Sequence, residues 1–75
     1  MEYSTLRKIE SKEYDIREAE EAIESAIKAI AYLRDIAPET FQGAITILQR
    51  GIEGRKQSIT VSEKRITALY AESTA

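Results

Sequence analysis

The side chains best suited to chemistry are a run of carboxylates, Glu18, Glu20, Glu21 and Glu24, and a glycine-punctuated cationic segment, Gly51-Ile52-Glu53-Gly54-Arg55-Lys56. Paired carboxylates do general acid–base work only where a pocket moves one of their pKa values. Glu20 and Glu24 are expected on a convex helix surface, which offers no such pocket. The chain has no His and no Cys. Nucleophilic triads and dyads therefore lack their partners. Thiolate metal sites and the Glu-x-x-His pattern of four-helix di-iron proteins are ruled out for the same reason. No Asp-rich loop of the EF-hand type is present. The glycine segment has neither the spacing nor the strand-to-helix setting of a phosphate loop. The expectation is a non-enzymatic chain with no cofactor and no metal.

What remains is binding. Cations at both ends of the sequence, Arg7 and Lys8 with Lys64 and Arg65, form a candidate nucleic-acid patch, to which Lys12, Arg50, Arg55 and Lys56 could contribute. The net charge of −2 lacks the bulk positive balance of a general nucleic-acid binder. Glu20, Gly51, Gly54 and Arg55 are candidates for a polar layer between helices or for a small-ligand groove between protomers. Tyr3 and Tyr70 are expected to staple one end, and Tyr32 to cover Phe41 or Ala44. Tyrosine is also enriched at binding hot spots.

These groups need elements to position them, and the elements are written in isoleucine. Ile9, Ile16, Ile23 and Ile30 stand seven residues apart, as do Ile45, Ile52, Ile59 and Ile66. Seven residues are two helical turns, so each set lines one face of a helix. The sets also mirror one another about Ala37–Pro38, pairing 9 with 66, 16 with 59, 23 with 52 and 30 with 45. Antiparallel helices joined by a sharp turn need that pairing. The expected fold is all-α: a single helical-hairpin domain, 1–75, with one helix over about 4–36, a turn at 37–39 and a second helix over about 40–71. Ser4 or Thr5 would cap the first helix. Pro38 and Glu39 suit the first turn of the second, where no amide donor is needed and negative charge is favoured, with Thr40 as the alternative cap. The terminal 72–75 are expected to fray.

The mirror rule also pairs the positions between the isoleucines. It sets Leu6 against Leu69, Glu13 against Ser62, Glu20 against Arg55 and Ile27 against Leu48. The middle of the seam would then alternate isoleucine with polar layers, either wet at its edge or enforcing register. A second stripe, Ala19, Ala22, Ala26, Ala29 and Leu33, widens the apolar face of the first helix beyond one contact surface. Helices in bundles need that width because they touch two neighbours. The simplest second neighbour is another copy of the chain, giving a four-helix bundle from two hairpins. Docking of a different protein on the alanines is the alternative. Residues 1–37 carry −3 and residues 38–75 carry +1, which places the acidic run of the first helix opposite Arg50, Arg55 and Lys56 and favours antiparallel pairing.

The functional expectation is a small adaptor, inhibitor or assembly factor acting as a homo-oligomer, with itself and another protein as partners. A nucleic-acid-binding regulator and an inter-protomer nucleotide binder are the competing classes. The apolar stretches fall far short of the ~20 residues that cross a bilayer. Met1-Glu2-Tyr3-Ser4 has neither the basic start nor the apolar core of a signal peptide. A cytoplasmic location is expected, with no membrane partner.

Overall fold

The computed structural model describes residues 2–37 and 39–74. It contains α1 (Tyr3–Ile36) and α2 (Gln42–Thr74), packed against each other. Among the described residues there is no strand. The two helices form an antiparallel hairpin, 55 × 14 × 12 Å across its principal axes. At 1.5 Å per residue, helices of this length account for the long dimension.

The boundaries differ from the sequence expectation at three points. Ser4 and Thr5 lie inside α1, and the N-cap position falls on Glu2, which makes no side-chain cap; the Leu6 amide instead donates to the Glu2 carbonyl at 3.1 Å. At the other end Ala37 leaves the helical region (φ −160°, ψ 79°), as the residue before a proline does. Glu39–Phe41 form a turn, so Glu39 stands outside α2, which begins at Gln42. A hydrogen bond donated by the Phe41 amide to the Ala37 carbonyl (3.1 Å) closes that turn. The expectation for Pro38 itself lies outside the described residues. Finally, α2 continues to Thr74, beyond the expected end near 71.

Both isoleucine ladders face inward. Ile9, Ile30, Ile45 and Ile52 are buried and Ile16, Ile23, Ile59 and Ile66 half-buried. The rest of the seam differs between the helices. On α2 it is completed by the residue three after each isoleucine: Leu48, Ser62 and Leu69 are covered, and Arg55 is exposed. On α1 the mirror rule selected Leu6, Glu13, Glu20 and Ile27, and all four are exposed. The covered residues are Lys12, Ala19, Ala26 and Leu33, again three after each isoleucine. The cause is geometric. Two right-handed helices in a hairpin are related by a rotation, not a reflection, so the inward step runs in the same direction along both chains. Reflection finds which residues stand at one level along the rod. Rotation, here a shift of 36 positions from Ile9 to Ile45, finds which residues point inward.

The core is thickest near the turn. Ile30, Ile45 and Ile52 form a buried cluster with Ile23, Ala26, Leu33 and Leu48 packed against it. At the open end Ile9 and Leu69 are each only 1% exposed. Between these lies a waist where Ile16 and Ile59 are only half-buried and the other covered positions are Lys12, Ala19 and Ser62. The ion pairs among the described residues all lie within one helix: Lys12–Asp15, Glu24–Lys28, Glu53–Lys56 and Arg65–Glu72. None joins α1 to α2, so the expected electrostatic pairing of the acidic run with Arg50, Arg55 and Lys56 is not made inside the hairpin. The hairpin is held by its apolar seam, since exposed pairs contribute roughly 0–1 kcal/mol each.

Candidate functional site

A helix in a two-helix hairpin has one inward stripe and two flanks. The flanks on one side of this hairpin differ sharply from those on the other. On the first side, the α1 positions from Ala22 to Ile36 are Ala22, Ser25, Ala29, Tyr32 and Ile36. The α2 positions from Ala44 to Val61 are Ala44, Ile47, Gly51, Gly54, Ser58 and Val61. None carries a charge. On the second side the corresponding stretches hold Glu24, Arg34, Glu53 and Lys56 among others.

The surface relief follows this division. A groove runs along the uncharged side, with Ala22 and Ala29 on one wall, Ile47 and Gly51 on the other, and Ala26, Leu48 and Ile52 as its floor. It continues past Arg55 into a hollow lined by Asp15, Glu18, Gly54 and Val61. The hollow on the second side is edged by Arg34, Glu53 and Lys56. Four large apolar side chains stand out on this side: Ile47 at 69%, Tyr32 at 67%, Val61 at 66% and Ile36 at 53% exposure. An α-helix gains nothing from exposed β-branched residues at such positions. Gly51 and Gly54 are also unexplained by the hairpin, because a Cβ added at either would meet nothing within 4 Å among the described residues. Mid-helix glycine costs about 1 kcal/mol relative to alanine, and no intrachain contact offsets it.

The structure divides the alanine stripe. Ala19, Ala26 and Leu33 belong to the seam, with Ala19 buried and the other two packed beside the core cluster. Ala22 and Ala29 are half-buried on the groove wall. Gly51, Gly54 and Arg55, singled out for other reasons, reach the same groove. Glu20 does not join them: it is exposed and forms no ion pair with Arg55 or any other cation among the described residues. The Glu20–Arg55 layer is therefore not formed.

At the open end, Glu2 and Thr5 line a hollow with Glu72 and Ser73, so the helix termini meet there and bring Arg7 and Lys8 to the end that holds Lys64 and Arg65. Two of these four cations are engaged. The Arg7 guanidinium donates to the Tyr3 hydroxyl (3.1 Å) and lies over its ring, 5.7 Å from the centroid. Arg65 pairs with Glu72 at 3.6 Å. Lys8 and Lys64 are exposed. On α1, hydrogen bonding to the Glu18 carboxylate and then its negative charge push the Tyr14 phenol above its ordinary pKa. Among the described residues no group of three or more His, Cys, Asp or Glu is placed to hold a metal, and no helix is long and apolar enough to cross a membrane.

Sequence reasoning found the glycines and alanines of this groove but passed over Ile47 and Val61. A signal was present: Ile47, Gly54, Val61 and Ala68 stand seven residues apart. Two of the four are small, so the stripe does not stand out beside the isoleucine ladder. No protein-family model, curated protein or solved structure matches the chain.

Proposed function

We propose that this chain is a non-enzymatic protein-interaction module that works as a homodimer of hairpins, a four-helix bundle. The observation that carries the reading is surplus surface. The hairpin exposes 5652 Å², whereas a compact monomer of 8.5 kDa exposes about 4,700 Å². Its radius of gyration is 17.0 Å, against about 11 Å for a compact domain of this length. A second copy supplies the missing neighbour without any further element of the chain. The sidedness of the surface supports the same reading, because it leaves one face for assembly and a charged face outward for a target. The test is solution mass by light scattering after size exclusion, over at least about a hundredfold range of concentration. A dimer is expected. A monomer across the whole range would overturn the reading.

A further inference from the structure

Resting on the homodimer reading, we infer that the second copy seats on the uncharged groove face, with the two hairpin turns at the same end and α1 of each copy lying against α2 of the other. Area is the first argument. The surplus of about 1,000 Å² per chain gives about 2,000 Å² for a pair, which is what a stable interface buries in total. Location follows from the two sides. Only one offers an uncharged run on both helices, Ala22 to Ile36 facing Ala44 to Gly51, with Arg55, Asp15 and Glu18 bordering it toward the open end; that side carries the two most exposed branched apolar residues of α2, Ile47 and Val61. It also carries Gly51 and Gly54, where an added Cβ would meet nothing within 4 Å among the described residues. A partner helix approaching that wall closely uses the space they leave.

Charge chooses the arrangement. Two copies meeting face to face by a two-fold rotation can place α1 over the partner's α1 or over its α2. The first juxtaposes segments of −3 with −3 and of +1 with +1; the second sets −3 against +1. In the second, levels along the rod are the same as inside one hairpin. Glu18 and Glu21 then stand beside the stretch of the partner's α2 that holds Arg50 and Arg55. Neither arginine has an ion pair within its own chain among the described residues. The acidic run and the arginines, unjoined inside the hairpin, find each other across the interface.

The experiment uses the full chain. Ile47→Asp and Val61→Asp alter positions that are 69% and 66% exposed in one hairpin, so each variant retains its helices by circular dichroism. Dimerisation should weaken about a hundredfold or more, because Ile47→Asp places a carboxylate in an apolar contact and Val61→Asp places one beside the Asp15 and Glu18 carboxylates, each twice per dimer. Ile27→Asp, on the charged side and 55% exposed, should leave the dimer mass unchanged. Dimers that persist in Ile47→Asp and Val61→Asp, or that are lost in Ile27→Asp, overturn the assignment of the face while the homodimer stands. A wild-type chain that never dimerises removes the underlying reading instead. For the arrangement, a spin label at Glu39→Cys, the chain's sole thiol, reports the distance between turns. A value well under half the 55 Å rod length is expected. A value approaching the full length overturns the same-end packing.

Discussion

Ile45 and Ile47 are the same residue type two positions apart, and the structure assigns them opposite fates. Ile45 is 1% exposed in the cluster near the turn, whereas Ile47 stands clear of the seam. Ile45→Ala removes three carbons from a filled site, which costs about 2–5 kcal/mol in lost burial and residual cavity. A chain of this length has roughly 4–11 kcal/mol of stability in total. The substitution therefore consumes from about a fifth of that stability to all of it, and lowers Tm by at least about 8 °C. Ile47→Ala loses no covered contact and gains slightly in helix propensity. In dilute solution it should stay within about 0.5 kcal/mol of the parent. Raising the concentration should separate the variants differently. The Ile45 deficit is intramolecular and persists at every concentration, while an Ile47 deficit emerges only as copies associate. Thermal melts followed by circular dichroism at several concentrations read both. An Ile45→Ala loss under about 1 kcal/mol would refute the assigned seam. An equal loss for both variants at high dilution would refute it as well.

Three further outcomes follow from other residues. Gly51→Ala and Gly54→Ala should each stabilise the dilute hairpin by about 1 kcal/mol and at the same time weaken dimerisation, read by melts and light scattering on the same samples; a gain that holds at all concentrations would show that no backbone approaches those glycines. Ala19→Glu forces a charge into a position that is 6% exposed and should strip helicity at 25 °C. Glu20→Ala, one residue on, should be neutral within about 0.5 kcal/mol, and the reverse ranking by circular dichroism would restore the mirror-derived seam. Tyr14 should titrate above 10.0 in a ¹³C-tyrosine NMR series, and Glu18→Gln should bring it down. Because the neutral phenol is the form favoured in the fold, its contribution is full below pH 10.0 and is lost as pH rises through the elevated value.

The hairpin was legible because isoleucine at seven-residue intervals leaves little choice of face. The seam's second line on α1 was not. Ala19 and Ala26 give a weak apolar signal, and Leu6 and Ile27, both exposed, give a strong one for the wrong stripe. A reflection rule fitted to levels along the rod then chose the stronger signal. The turn misled for a related reason. Pro38 followed by Glu39 resembles a helix start, yet reversing the chain occupies Glu39–Phe41 as well, and α2 waits until Gln42. For the groove, the sequence supplied its small residues separately, as an alanine stripe on one helix and glycines on the other. Only packing shows that Ala22 and Ala29 share a groove with Gly51.

The position of the core cluster also bears on the chain entropy of closing this hairpin. Ile30 and Ile45 are 15 residues apart, whereas Ile9 and Leu69 are 60 apart. Closing the longer loop first would cost about 1.2 kcal/mol more chain entropy than closing the shorter. The core cluster therefore sits where closure is cheapest, which favours pairing that starts at the turn and proceeds outward. Amide exchange along α1 should accordingly be slowest beside Ile30 and quicken toward the open end.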